Sequence, residues 1–132
     1  MVFDNIDELY KIHKIYPKAN LVLRIYALDK TARFLLSKKY GAHENEWKQL
    51  FVNAKKLNLN ISGISFHIGS GAKNPAAFDK ALKDTRKCYN LAKQYGFNIN
   101  LIDIGGGFSK NTLENFSKII NKSKNKYLFF FY

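Results

Sequence analysis

A histidine and a glycine-rich turn follow directly on an apolar run in the middle of the chain. The run 63–66 leads into His67, and Ser70 comes shortly after it between two glycines. An apolar run of this length predicts a buried strand, and the backbone N–H groups of glycine-rich turns form concave sites for anions. Ser70 adds a hydroxyl donor to this turn. The segment therefore predicts a strand that ends at an anion-binding loop.

A second apolar run, residues 101–104, ends in three glycines. Gly105, Gly106 and Gly107 lie between this predicted strand and a predicted helix, which is an arrangement that binds phosphates. The spacing differs from the G-x-G-x-x-G dinucleotide motif, and the chain has no P-loop triplet. Ligands of parallel α/β folds bind at the carboxyl ends of strands. Both loops are therefore expected to open on one side of a sheet and to hold a phosphate-bearing cofactor.

Three roles are open for His67 from the residue pattern. It could be a structural hydrogen-bonding residue at the end of a strand, or a flat imidazole that packs against a flat cofactor ring. Metal ligation is disfavoured because His13, His43 and Cys88 lie on other predicted elements at no recognisable ligand spacing. No metal is therefore expected.

Arg24 is the one charge inside a third apolar run, residues 21–25. A continuous run of this kind is typical of a strand that is covered on both faces. A guanidinium in such a strand needs a carboxylate or a phosphate, because an unpaired buried charge is costly. Two interpretations remain open: a strand-end arginine that reaches solvent or a structural carboxylate, and a group that faces the cofactor.

The elements that must position these residues alternate along the chain. Asp4 is a candidate N-cap for the first helix, Asn74 caps a long helix in the second half, and Gly96 ends that helix. An alternation of strands and helices predicts βα units and a parallel sheet. The predicted helices are 4–16, 44–57, the long helix between Asn74 and Gly96, and 112–122; the predicted strands are 21–25, 61–66 and 98–104, and the aromatic run 127–132 could start another strand.

The composition is basic, with 22 Lys and Arg against 10 Asp and Glu and a formal charge of +12. Such a charge suggests an anionic partner such as nucleic acid. The lysines are scattered over every segment, however, which favours solvated helix faces, and a nucleic-acid-binding domain is kept as an alternative. Cys88 is the only cysteine, so no internal disulfide is possible, and we expect it to pack in a core. No apolar run approaches the ~20 residues of a membrane span, and a cytoplasmic protein is expected.

The three apolar runs and their loops resemble those of eukaryotic-type ornithine decarboxylase. The resemblance rests on three segments in matching order and spacing, residues 17–25, 63–71 and 101–108. It extends from residue 1 to about residue 110 and weakens towards the carboxyl end. The segment 65–67 favours the ornithine branch over the related diaminopimelate and biosynthetic arginine decarboxylases.

This resemblance implies an enzyme that uses pyridoxal 5′-phosphate to convert ornithine to putrescine and carbon dioxide in polyamine biosynthesis. It implies an alanine-racemase-like β/α barrel of the TIM type, a homodimer, and possible control by an antizyme-like regulator. It also implies that His67, the catalytic candidate, stacks on the pyridine ring. By the same resemblance Ser70 and the glycines 105–107 hold the phosphate, and Arg24 lies close to the cofactor.

Two parts of the family's site have no counterpart in this chain. The Schiff-base lysine of the family belongs to an earlier strand, and the cysteine-aspartate segment that completes the site would come after Tyr132; Cys88 does not match that cysteine. We therefore expect residues 1–132 to form about three βα units of a partial barrel, with a tail from about residue 111 that departs from the family pattern. Such a fragment is expected to be inactive alone. A non-catalytic homologue similar to an antizyme inhibitor remains the alternative.

Overall fold

Four parallel strands, each followed by a helix, make up this chain. A computed structural model describes residues 1–128, with Lys38 described by its backbone only. The strands lie side by side in chain order, so the predicted parallel α/β architecture is confirmed. The strands are β1 (Val2–Phe3), β2 (Asn20–Arg24), β3 (Asn60–Ser65) and β4 (Leu101–Asp103); the helices are α1 (Ile6–Ile15), α2 (Glu44–Lys56), α3 (Ala76–Gln94) and α4 (Leu113–Tyr127), with a 3-10 turn at Leu36–Lys38.

The first strand adds a βα unit to the three that were predicted. β1 is only two residues long, which is too short for a pattern of alternating burial to show in the sequence. Val2 pairs with Val22, and Phe3 pairs with Leu23. Phe3 is buried, so pairing with β2 and packing in the core hold this strand in place.

Helices cover one face of the sheet. α2 and α3 both contact β3, and the strand residues that point towards them, such as Leu23 and Ile64, are fully buried. The predicted apolar stripe of α2 is also confirmed, since Trp47, Leu50 and Phe51 are all buried. Fully burying a side chain of this size stabilises the fold by about 1.5 to 3 kcal/mol. The core therefore lies between the sheet and its helices.

The other face of the sheet is open in the described part of the chain. Val2, Val22, Gly63 and Leu101 form one row across the four strands. Val2 is 54% exposed and Leu101 is 46% exposed. The described sheet is thus unclosed, as expected of a partial barrel, and this row of its inner face is apolar.

The start of α1 corrects one prediction. The N-cap is Asn5, whose side chain accepts a hydrogen bond of 2.9 Å from Glu8 N. Asp4 instead accepts a hydrogen bond of 2.8 Å from the N–H of Gly41. The acidic side chain is therefore used to tie the start of α1 to the loop that follows β2.

Two further boundaries differ from the prediction. β4 begins at Leu101 and not at residue 98. α4 continues past residue 122 to Tyr127, because Ser123 is buried and donates a hydrogen bond of 2.6 Å to Asp79 on α3. Tyr127 thus belongs to a helix, and the rest of the predicted aromatic strand, beyond residue 128, lies outside the described residues.

Asn74 bonds to the first residue of α3, but the N-cap position is occupied by Pro75, which makes no side-chain capping bond. Asn74 Oδ1 accepts a hydrogen bond of 3.1 Å from Ala76 N, and Pro75 precedes the first helical residue. Gly96 follows the helix with a φ of +74°. The carboxyl end of the longest helix was therefore predicted from its capping residue, and its start was predicted to within one residue.

Candidate functional site

The two glycine-rich loops lie against each other at the carboxyl ends of β3 and β4. A Cβ atom built on Gly105 would lie 3.1 Å from His67 Cα and 3.1 Å from His67 Cδ2, and it would overlap the carbonyl oxygen of Phe66. A Cβ atom on Gly107 would overlap the carbonyl oxygen of Gly69. Both glycines have positive φ angles, of +65° and +108°. Only glycine allows the two turns to approach this closely.

Three polar residues form a row at the carboxyl ends of the strands. Arg24 pairs with Ser65, and Ser65 pairs with Asp103. Side chains of paired residues in neighbouring strands point to the same face, so this row lies on the open face. His67 follows two residues after Ser65, and Phe66 N donates to Asp103 O, which continues the ladder. The imidazole of His67 therefore lies one side-chain position beyond this row, towards the carboxyl edge of the sheet.

His67 is half-buried and holds the turn that follows it. Its Nδ1 accepts a hydrogen bond of 3.0 Å from Gly69 N, so the ring has a structural role. Burial lowers the pKa of His67, and the positive charge of Arg24 lowers it further, while the charge of Asp103 opposes this. The imidazole is therefore neutral at pH 7, with its proton on Nε2.

The guanidinium of Arg24 stacks on an aromatic ring of the β2–α2 loop. Its Cζ lies 4.9 Å from the centroid of the Tyr40 ring. Within residues 1–128 Arg24 forms no ion pair. A structural carboxylate, which was one of the two interpretations of this residue, is thus not found there.

The glycine turn after β4 presents backbone donors. Asp103 Oδ1 accepts a hydrogen bond of 2.8 Å from Gly105 N. The N–H groups of Gly106 and Gly107 donate to no other group in the described part of the chain. Ser70, on the neighbouring turn, has an exposed side chain, and its carbonyl accepts a hydrogen bond of 3.2 Å from Phe34 N. The two glycine N–H groups and the Ser70 hydroxyl are therefore available as hydrogen-bond donors to an anion at the carboxyl edge of the sheet.

Asp29 is a residue of the site that the sequence analysis missed. It is 1% exposed, and its carboxylate accepts hydrogen bonds from Thr31 N and Oγ1, Lys73 N and Asn74 N at 2.7 to 2.9 Å. Its own N–H donates to Ile68 O. Burial alone would raise the pKa of Asp29, but the hydrogen bonds from Asn74, Thr31 and Lys73 outweigh burial and hold the pKa below its usual value.

Asp29 therefore ties the loop after β2 to the loop that carries His67 and Ser70. One local signal could have found it. Thr31 stands two residues after Asp29, and an aspartate with backbone and hydroxyl donors two positions on is typical of an Asx turn. The partners at Lys73 and Asn74 are more than 40 residues away, and no sequence pattern indicates them.

Cys88, metal ligation and membrane spans were also considered from the sequence. Cys88 is buried, as expected for a core residue, and burial raises the pKa of its thiol. Among residues 1–128 no group of three His, Cys, Asp or Glu side chains could hold a metal ion. In the same residues no helix is long and apolar enough to cross a membrane.

Comparison with known proteins shows the family of this chain. The sequence profile described as "Pyridoxal-dependent decarboxylase, pyridoxal binding domain" matches residues 1–128. The chain belongs to this family. The pyridoxal cofactor implied by the resemblance is confirmed at the level of the family.

Curated relatives of this pyridoxal binding domain include ornithine decarboxylases. The protein from Mus musculus is 41% identical over 132 residues, which cover 96% of this chain and 29% of the mouse protein. The protein from Schizosaccharomyces pombe is 39% identical over 127 residues, with 96% of this chain and 29% of that protein covered. The resemblance to eukaryotic-type ornithine decarboxylase is confirmed, and the domain spans less than a third of the length of these relatives.

Solved structures show the same fold. The arginine decarboxylase of Paramecium bursaria Chlorella virus has a TM-score of 0.92 and 38% identity, with 96% of this chain and 34% of that chain covered. The ornithine decarboxylase of Entamoeba histolytica has a TM-score of 0.81 and 36% identity over 95% of this chain and 34% of that chain. The four βα units thus match about a third of each of these longer chains.

Proposed function

We propose that this chain is the part of an ornithine decarboxylase that holds the ring and the phosphate of pyridoxal 5′-phosphate. The observation that carries the proposal is the contact between the turn that starts at His67 and the glycine turn 105–107. That contact brings a flat neutral ring and free backbone N–H groups to one point at the carboxyl edge of a parallel sheet. Ligands of such folds bind at this edge.

Three features of the site fit this cofactor. In the glycine turn the N–H groups of Gly106 and Gly107 bond to nothing within residues 1–128, so they are available to a phosphate. The neutral imidazole of His67 offers a flat face to a pyridine ring without adding a positive charge. Arg24 adds a cation that no carboxylate of the described chain neutralises.

Each residue then has a role in binding. His67 packs on the ring and keeps it in one plane. Gly106 and Gly107 donate backbone hydrogen bonds to the phosphate, and Ser70 adds its hydroxyl. Arg24 stabilises negative charge at the ring. When bound, the cofactor withdraws electrons from the substrate carbon that loses carbon dioxide, and these residues orient it for that chemistry.

The substrate proposed is ornithine and the products are putrescine and carbon dioxide. We assign none of the lysines in this chain as the Schiff-base residue, so the chain is proposed to bind cofactor and to be inactive alone. Residues 1–132 are proposed as part of the cofactor-binding barrel, with a tail after about residue 111 that departs from the family. A homodimer, an antizyme-like regulator and a cytoplasmic location remain predictions from the resemblance.

The binding claim is tested by equilibrium dialysis of the full chain with pyridoxine 5′-phosphate. This compound has no aldehyde and cannot form imines with the many lysines of the chain. We expect saturable binding that His67→Ala weakens about fivefold, since ring stacking contributes about 1 kcal/mol. His13→Ala, at an exposed position on α1, is the control and should leave binding unchanged.

Three outcomes would contradict the proposal or part of it. A wild-type chain that does not bind pyridoxine phosphate, but keeps the fold, would favour a non-catalytic homologue similar to an antizyme inhibitor. Binding to duplex DNA that falls steeply with salt would favour the nucleic-acid alternative. Release of labelled carbon dioxide from ornithine, abolished by replacing one lysine of this chain, would contradict the claim that it is inactive alone.

A further inference from the structure

Ser65 carries a buried hydroxyl that has no hydrogen-bond partner in the part of the chain that the structure describes. The residue is 5% exposed, and among the described residues its Oγ is the one buried side-chain nitrogen or oxygen without a hydrogen bond. Buried polar groups in folded proteins are nearly always paired, and an exception calls for an explanation. The hydroxyl therefore indicates a partner that is not part of residues 1–128.

The neighbours of Ser65 across the sheet do not provide that partner. Arg24 lies on one side and Asp103 on the other. The guanidinium has only donors, so it does not accept the proton of Ser65. Oδ1 of the Asp103 carboxylate accepts from Gly105 N, and neither of its oxygens bonds to Ser65 Oγ. Ser65 thus stands between a cation and an anion without bonding to either.

Gly63 and His67, two residues before and two residues after Ser65 on the same face, show from which direction a hydrogen-bond partner can reach its hydroxyl. Gly63, two residues before it, has no side chain, and a Cβ atom there would lie 3.1 Å from side-chain atoms of both Val22 and Leu101. The space beside Gly63, on the amino-terminal side of Ser65, is therefore filled by the apolar side chains of Val22 and Leu101. Two residues after Ser65 comes His67, whose Nδ1 is already bonded to Gly69. A polar partner has to reach the hydroxyl from the open face, beside the imidazole.

We propose that Ser65 binds a pyridoxal compound directly, by donating a hydrogen bond to the negatively charged oxygen on its ring. Arg24, the paired residue on β2, is the second donor to that oxygen. The phosphate donors lie on the turns beyond the strand ends, whereas Ser65 lies within the sheet, one level beneath the imidazole. A hydroxyl beside a guanidinium favours an anionic acceptor, because charge-assisted hydrogen bonds are the stronger ones. This inference rests on the proposed function.

The test compares two ligands that differ in this oxygen alone. Pyridoxine 5′-phosphate and 3-deoxypyridoxine 5′-phosphate are dialysed against the full chain, its Ser65→Ala variant and its Ser65→Thr variant. We expect Ser65→Ala to weaken binding of the first ligand about tenfold, since a hydrogen bond to a charged group contributes that much. Binding of the 3-deoxy ligand should be the same for all three proteins. Ser65→Thr, which keeps the hydroxyl, should bind both as wild type does.

Ser62→Ala is the matched control on the same strand, at a half-buried serine, and should change neither affinity. A second readout is thermal unfolding without ligand. Because the hydroxyl of Ser65 has no partner among residues 1–128, Ser65→Ala should leave the Tm unchanged or raise it.

Each other result counts against the inference. If Ser65→Ala weakens both ligands equally, or lowers the Tm of the free chain, the hydroxyl has a structural partner and the inference is wrong. If Ser65→Ala weakens neither ligand, the inference is also wrong while the proposed function stands. If the wild-type chain binds neither ligand, the proposed function fails and the inference fails with it.

Discussion

Gly105 leaves free the space that the imidazole of His67 occupies. A side chain at residue 105 would begin 3.1 Å from His67 Cδ2, and the glycine holds a φ of +65°. The two residues come from different loops, 38 positions apart in the sequence. Their contact joins the carboxyl ends of β3 and β4 into one site, and most of the predicted chemistry depends on it.

Replacing Gly105 tests this contact. Gly105→Ala forces a left-handed backbone on a residue with a Cβ and also creates an overlap, so we expect a loss of about 2 to 4 kcal/mol in the free energy of unfolding. Binding of pyridoxine phosphate should be lost as well. Urea unfolding and dialysis measure the two effects.

Gly96→Ala is the matched control for that variant. Gly96 has a φ of +74°, and the nearest atom to a Cβ there is the flexible end of Lys55, at 3.5 Å. We expect a loss of about 1 kcal/mol from the backbone alone, with ligand binding unchanged. Equal losses in the two variants would show that the loop contact contributes nothing beyond backbone strain.

The pKa of His67 should depend on its two charged neighbours in opposite directions. Arg24 lowers it and Asp103 raises it. Arg24→Gln should therefore raise the pKa of His67, and Asp103→Asn should lower it. The imidazole resonances followed by NMR as a function of pH measure this, with His13→Gln and His43→Gln variants to assign the signals. Shifts of the same sign in both variants would contradict the arrangement.

The same lowered pKa predicts how His67 affects stability. The imidazole of His67 binds a proton less readily in the folded chain than in the unfolded chain. As the pH falls, it is therefore protonated in the unfolded state first. The stabilising contribution is fully present above the unfolded-state pKa of about 6.5. It is lost as the pH falls from there towards the folded-state pKa. In His67→Gln this part of the pH dependence of unfolding should disappear.

Asp29 should be a stabilising residue whose contribution is lost in acid. Its folded-state pKa is lowered, so its contribution is present above the unfolded-state pKa of about 3.9 and disappears as the pH falls through the folded-state value. At pH 7 Asp29→Asn should cost about 2 kcal/mol, because three backbone N–H groups and the Thr31 hydroxyl lose a charged acceptor. Asp7→Asn, at an exposed position on α1, should cost about 0.5 kcal/mol. Urea unfolding at a series of pH values checks both, and equal effects would show that the four bonds to Asp29 add little.

Phe78 on α3 should be important for stability, because its ring packs between Phe66, which follows β3, and Phe116 on α4. Its ring is fully buried and contacts Phe66, Phe108 and Phe116 at centroid distances of 5.3 to 6.1 Å. Phe78→Ala should lower the free energy of unfolding by about 3 to 5 kcal/mol. Tyr16→Ala, at an exposed aromatic residue, should change it by less than about 0.5 kcal/mol. A small loss at Phe78 would contradict the packing described.

Much of the fold could be predicted because it depends on local patterns. Apolar residues at helical spacing marked α2, and Asn74 and Gly96 marked the ends of α3, since caps and periodicity act within one or two turns of chain. The two loops were predicted to open on one side because parallel strands present their carboxyl ends at one edge. The close approach of His67 and Gly105 could be expected for the same reason, and their role towards a cofactor stays a prediction.

What remained hidden depends on contacts between distant segments. β1 exists because Val2 and Phe3 pair with β2, and α4 extends to Tyr127 because Ser123 reaches Asp79. The four hydrogen bonds to Asp29 and the unpaired hydroxyl of Ser65 also appear only when segments tens of residues apart are in contact. Hydrogen bonding and burial of this kind are properties of the packed chain, so residue order indicates where strands and loops lie, and folding decides which polar atoms find partners.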